Sequence, residues 1–297
     1  MSPMPPSAAP VSLAVNRLWH PRLSLASCVR AVLSRNTLGV NLDDAQRFNH
    51  FPASPLCSIS WWFEGCSEML DDSGSAVTPG STRRALPMRI AFGGPFTRPS
   101  ASWNPGPVHG MMLMLLPDAV RQLTGVDPEA HLDRLVDVRD VLPAPWVGLC
   151  EAVLAVRDDD ARVQLMQDFI DPLWQAERPR LALDGHRYLD WARGLAQRAA
   201  LSASGRSLRQ VERRIKQWAG QPMRELLGVG RAERAFFEAL AAEGDGRLSW
   251  ADVAAQSGYA DQSHLVRATR RITGFSPEDL RRRIAEDEAF WAYRLWQ

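Results

Sequence analysis

Between Ser257 and Pro277 the chain reads SGYADQSHLVRATRRITGFSP, so Gln262, Ser263, His264, Arg267, Arg270 and Arg271 fall within one turn and the helix after it. These residue types suit polar recognition better than covalent catalysis. Gln binds adenine in a bidentate manner, Arg does the same with guanine, and a neighbouring Val packs on a thymine methyl. Trailing arginines suit phosphates. Elsewhere the chemistry is sparse. Cys28, Cys57, Cys66 and Cys150 form no CxxC pair, and His50, His109 and His131 stand far apart, so neither a metal site nor a cofactor is expected. No Ser/His/Asp arrangement and no Gly-rich phosphate loop is present. Catalytic residues are therefore expected to be none, and the protein is not expected to be an enzyme.

The helices that would carry those residues can be read locally. Ser249 is a natural N-cap for WADVAAQ, whose Val253 faces inward with Leu248 before it. Ala254 lies four residues before Gly258, the spacing of a helix-turn-helix: a small residue lets a second helix cross closely and Gly accepts the positive φ of the turn. Asp261 then caps a helix from Gln262 to Ile272, with Leu265, Ala268, Thr269 and Ile272 on one apolar stripe. A polar face alone is what any amphipathic helix shows; the turn spacing and the closing Thr273-Gly274-Phe275-Ser276-Pro277 favour recognition.

The stretch LSWADVAAQSGYADQSHLVRATRRITGFSPEDLRRR resembles the second helix-turn-helix of the AraC/XylS family of bacterial transcription regulators. The matching residues are Ala254, Gly258-Tyr259, Asp261 to His264 and the Thr273 to Pro277 exit, while Thr269 stands where the family usually has Phe. The resemblance implies an earlier unit. GRSLRQVERRIKQWAGQP fits its second helix, with Leu208, Val211, Ile215 and Trp218 as the buried stripe and Arg209, Gln210, Glu212, Arg213 and Lys216 outside. The helix before it has a Ser-rich break where the Ala-x-x-x-Gly turn would stand.

A chain of 297 residues with 45% apolar and 23% charged residues suits two ordinary domains, and its net charge of +1 neither requires nor excludes a nucleic-acid partner. Residues 1–10 read as a disordered Pro/Ser/Ala tail. Residues 11–178 read as a β-rich domain and residues 179–297 as an all-α domain; the resemblance implies that the first is a cupin-like domain for sensing or dimerisation and the second the DNA-binding domain. The whole is α+β. The first helix-turn-helix is expected at 184–222, a linker helix at 223–243 and the second unit at 248–277. LCSISWWFEG is a strand closing at Gly65, and Trp61, Trp62 and Trp103 could line an apolar ligand pocket, although aromatics are more often core. The tail EDEAFWAYRLWQ is expected to pack back on the molecule.

The site expected from the sequence is thus Gln262, Ser263, His264, Arg267, Arg209 and Arg213 on DNA bases, and Arg270, Arg271 and Arg214 on phosphates. Double-stranded DNA is the expected partner, in the cytoplasm and without a membrane. The resemblance also admits a small-molecule effector, a homodimer and, for an activator, a contact with RNA polymerase. Two alternatives stand beside this reading. One is an interaction protein with a degenerate helix-turn-helix domain; the other is a cupin-type or alkyltransferase enzyme domain fused to one.

Overall fold

A computed structural model describes residues 14–70, 80–179, 187–202 and 207–296. The expected tail at 1–10 lies outside the described residues, as do residues 180–186 just past the expected boundary at 178/179. The N-terminal half is built on two antiparallel sheets. Strands β1 (Val15–Trp19), β2 (Val29–Asn36), β4 (Cys57–Glu64), β7 (Ile90–Gly93), β9 (His109–Leu115) and β10 (Leu135–Asp137) form one sheet, in the order β1-β2-β9-β4-β7-β10. Strands β3 (Phe48–Phe51), β5 (Glu68–Leu70), β6 (Arg83–Ala85) and β8 (Ser100–Trp103) form the other, in the order β3-β8-β5-β6.

Period-two alternation gives the larger sheet two distinct faces. On β4, Cys57, Ile59, Trp61 and Phe63 join the main core, while Ser58, Ser60 and Trp62 point the other way. On β9, Met111, Leu113 and Leu115 alternate in the same manner with Gly110, Met112 and Met114. Helices α1 (Pro117–Thr124), α2 (Val138–Val141), α3 (Ala144–Ala155) and α4 (Asp159–Glu177) cover the core face. Gly65, at the end of β4, has φ +73 and lies so close to the Pro107 carbonyl that a Cβ there would clash.

The C-terminal half is helical: α5 (Tyr188–Leu201), α6 (Leu208–Ala219), α7 (Met223–Gly244), α8 (Trp250–Gln256), α9 (Gln262–Thr273), α10 (Pro277–Glu286) and α11 (Trp291–Arg294). Local signals set the helix ends. Ser207, Ser249, Asp261 and Ser276 each accept a backbone N–H in the first turn, and α6 and α9 end at left-handed Gly220 and Gly274. The stripe expected for α6 needs one correction. Ile215 is buried and Val211 and Trp218 are half-buried, but Leu208 is 85% exposed. It sits in the first turn of α6, beyond the neighbouring helices, and periodicity cannot reveal where a packing surface ends.

The two halves share cores instead of meeting at a thin seam. Trp191, Leu195, Ala199, Ile215, Ala219 and Leu226 belong to the same buried cluster as β2, β4, β9 and α1. The C-terminal tail closes on the smaller sheet, where Phe275, Leu280, Ile284, Phe290 and Tyr293 pack with Phe48, Leu70 and Ala101. The second unit has a small core of its own, made of Ala235, Val253, Ala254, Tyr259 and Leu265.

Candidate DNA-binding surface

The second unit is assembled by short-range chemistry. Ala254 is fully buried where α8 meets α9, and Gly258, at φ +76, turns the chain. The Asp261 carboxylate accepts the His264 N–H at 2.6 Å and starts α9. Leu265 and Ile272 anchor the helix inward. Gln262, Ser263, Arg267 and Arg270 stand exposed, and neither arginine has an acidic partner among the described residues. His264 is placed differently. Its ring meets Tyr259 edge-on at 5.2 Å, and its Nδ1 is 3.5 Å from the Ala260 N–H. Arg271 points away from the exposed stripe and donates to Glu225 of α7 at 2.5 Å.

On α6, Arg209 and Arg213 are one turn apart, both exposed, and likewise have no acidic partner among the described residues. Arg214 is half-buried, its guanidinium 5.9 Å from the Trp218 ring. Lys216 continues the Arg209–Arg213 stripe, but its ammonium is held 2.5 Å from Glu129 of the N-terminal half. Nearby, Gly220 packs against Pro128, closely enough that a Cβ would lie 3.1 Å from the Pro128 carbonyl carbon. The exposed basic side chains on α6 and α9 can neutralise phosphates and donate in pairs to base edges. Helix α7 joins the two units and packs against α5, α8 and α9.

Polar clasps fasten this domain to the N-terminal half, and none was visible in sequence. Asp118, at the start of α1 and 8% exposed, accepts the Trp191 indole N–H at 2.9 Å and the Arg198 guanidinium. Arg30 on β2 pairs with Glu233 of α7 at 2.8 Å, both nearly buried, and the same carboxylate accepts the Tyr188 N–H at 2.8 Å. Burial pushes the Glu233 carboxyl upward, against the opposing pull of Arg30. The Ala53 N–H donates to the Ile272 carbonyl at 2.7 Å, a backbone bond from the N-terminal half to α9. Each clasp joins residues at least 45 positions apart, beyond the reach of motif reading.

A cavity of about 620 Å³ lies between the sheets and opens against α7, α9, α10 and the tail. Trp61 and Trp62 both border it. The Trp61 indole is fully buried and donates to the Cys150 carbonyl at 3.0 Å, whereas Trp62 sits on the opposite face of β4. Trp103 lies elsewhere, under the Arg83 guanidinium at 3.7 Å, with its N–H on the Asp44 carbonyl. The histidines occupy separate settings: His50 stacks on Phe290 at 4.6 Å, His109 meets Asp159 at 3.1 Å, and His131 faces the edge of Phe92. Cys28, Cys57 and Cys150 are buried, and burial raises all three thiols, Cys150 to about 12, so none ionises readily near neutral pH. Among the described residues no helix is long and apolar enough to cross a membrane.

Residues 200–283 match the family model of a helix-turn-helix domain, from the last turn of α5 into α10. The fold and this match define a helix-turn-helix protein with a β-rich N-terminal half. The helix-turn-helix domain is of the AraC type and supports a DNA-binding transcription regulator. Among solved structures, the chain is similar to a variant of ToxT from Vibrio cholerae, at 11% identity over 84% of this chain and 96% of that one, with a TM-score of 0.38. A second ToxT structure, also from Vibrio cholerae, matches at 13% identity over 78% and 93%, with a TM-score of 0.36. The AraC-like transcriptional activator CuxR matches at 12% identity over 94% and 83%, with a TM-score of 0.21. No protein in the curated comparison set matches the sequence.

Proposed function

We propose that this protein binds a specific double-stranded DNA sequence through both helix-turn-helix units and controls transcription there in response to a small effector held between its halves. The carrying observation is the pair of exposed, uncompensated arginine stripes on α6 and α9, joined by one continuous α7. Two such helices on a common linker suit successive major grooves on one face of the duplex, about one helical turn or ~34 Å apart. Gln262, Ser263 and Arg267 read bases in the second unit, with His264 acting at the edge of the turn, and Arg209 and Arg213 read bases in the first. Arg270, Arg271 and Arg214 serve phosphates. For Arg271 this means exchanging Glu225 for a phosphate oxygen. The cavity between the sheets and α7 is the effector site in this reading, with Trp62 on its wall. RNA polymerase and a second copy of the chain are the further partners, and the cytoplasm, where the DNA lies, is the place of action. The reading assigns no reaction to the chain.

The test is a binding selection from random duplexes with purified protein, followed by affinity measurements at two salt concentrations. An enriched motif in two blocks, with affinity falling steeply as salt rises, is the expected result. Absence of any enriched motif would leave an interaction protein that has kept the fold alone.

A further inference from the structure

The cavity has two chemically different ends. At the sheet end, Ser58, Ser60 and Ser100 border it, and their hydroxyls have no hydrogen-bond partner among the described residues. At the helical end it runs beneath the second recognition helix, bounded by Phe236 and Leu240 of α7, Trp250, Leu265, Thr269 and Leu280. Thr269 is the short residue on the inner stripe of α9. Its hydroxyl is spent inside the helix, donating to the Leu265 carbonyl at 2.9 Å, so the apolar part of the side chain is what remains for the cavity.

Each arginine that borders the cavity has a carboxylate partner. Arg30, Arg35, Arg281 and Arg294 line it. Arg30 pairs with Glu233 at 2.8 Å, and Arg281 with Glu243 and Glu278 at 2.7 and 2.6 Å. Arg294 and Arg35 share Glu288 at 2.6 and 3.4 Å, and Arg35 also donates to the Asn49 side chain at 2.7 Å. Four guanidinium groups thus face four carboxylates. An anionic head that took Arg30 would strip Glu233, 9% exposed, of its cation. A neutral polar group needs only the free serine hydroxyls.

We propose that the cavity binds an uncharged amphipathic molecule, with a hydroxyl or carbonyl head among Ser58, Ser60 and Ser100 and an apolar tail under α9 against Thr269. This builds on the effector reading given above and adds the ligand's class and the helix it touches. A volume of about 620 Å³ is ordinary for a small-molecule site. The tail would bear on the same helix that carries Gln262 and Arg267, so occupancy would act on the recognition surface through one layer of side chains.

The test uses the full chain and two probes of equal length, 1-decanol and decanoate, titrated below their aggregation limits while tryptophan fluorescence is recorded. Trp62, Trp250 and Trp291 border the cavity and report on it. Saturable decanol binding is expected, with decanoate at least tenfold weaker at pH 7.5. Ser60→Ala should weaken decanol severalfold, and Thr269→Phe at least tenfold by filling the helical end. Leu240→Trp fills that end from α7 and replaces Thr269→Phe if the latter does not fold, with melting temperature as the check. Decanoate binding as tightly as decanol overturns the proposal, as does binding of neither probe or a folded Thr269→Phe that binds decanol normally. DNA affinity measured alongside separates the two readings. Decanol that binds without changing DNA affinity supports this site and removes the effector role, whereas loss of decanol binding with DNA binding intact removes the site and leaves the regulator.

Discussion

Replacing Asp118 with Ala should loosen the hold of the β domain on the first helix-turn-helix unit. The carboxylate is 8% exposed and bonds both the Trp191 indole and the Arg198 guanidinium, whose side chain is itself only 12% exposed. Truncation would leave Arg198 with the face of Trp218, 5.8 Å away, as its remaining favourable contact for charge. Removing one partner of a buried pair costs roughly 3–5 kcal/mol. The lost indole bond adds about 1 kcal/mol. Asp118 and Arg198 also border an opening near Leu201 and Pro179 through which water can reach the stranded guanidinium. The lower end, about 3 kcal/mol, is therefore expected. Urea unfolding followed by tryptophan fluorescence and far-UV circular dichroism measures it. Arg198→Met in the Asp118→Ala background should recover much of the loss, giving a coupling of about 2 kcal/mol. A cost for Asp118→Ala below about 1 kcal/mol, or effects of the two substitutions that simply add, would show that the Asp118–Arg198 pair does not hold the two halves together.

Other substitutions probe the remaining links. Arg267→Ala should cost roughly 1–3 kcal/mol on the selected site and relax preference at one base pair, while equal loss on random DNA would mean a phosphate contact. Arg271→Ala should weaken binding to all sequences and shallow the salt slope by about one; an unchanged slope would show that the guanidinium stays on Glu225. His50, stacked on Phe290 with Asp287 and Arg283 near it, is lowered by burial from 6.5 to about 4. The folded state therefore binds fewer protons than the unfolded state between these values, and stability falls as pH drops through that window, by at most about 3 kcal/mol. His50→Phe should flatten the melting temperature between pH 6.5 and 4, and an unaltered pH profile would assign the effect elsewhere. Gly220→Ala places a side chain at φ +73 and against Pro128, and should destabilise by about 1–3 kcal/mol in thermal unfolding.

The second helix-turn-helix was legible because its determinants are local. Ser249, Asp261 and Ser276 each cap within three residues, Gly258 turns within one, and the Leu265–Ile272 stripe follows from helical period alone. The strand at Cys57–Glu64 and its stop at Gly65 were legible for the same reason. What alternation could not supply was the identity of what each face meets. Trp61 and Trp62 necessarily point to opposite sides of β4, yet only packing decides that the Trp61 indole bonds α3 while the Trp62 ring faces away from it. Leu208 failed similarly, since its helical position is right and the surface it would need is not there. The clasps between the halves, Asp118 to Arg198, Glu129 to Lys216 and Arg30 to Glu233, join residues 80 or more positions apart and leave no periodic trace.

The central claim is that two recognition helices engage DNA together. The most direct measurement is a hydroxyl-radical footprint of the full chain on its selected sequence. Two protected windows on one face of the duplex, centred about one helical turn apart, are expected. Arg209→Ala combined with Arg213→Ala should erase one window, and Arg267→Ala should weaken the other. A single window that survives loss of both Arg209 and Arg213 would mean that α6 does not engage DNA.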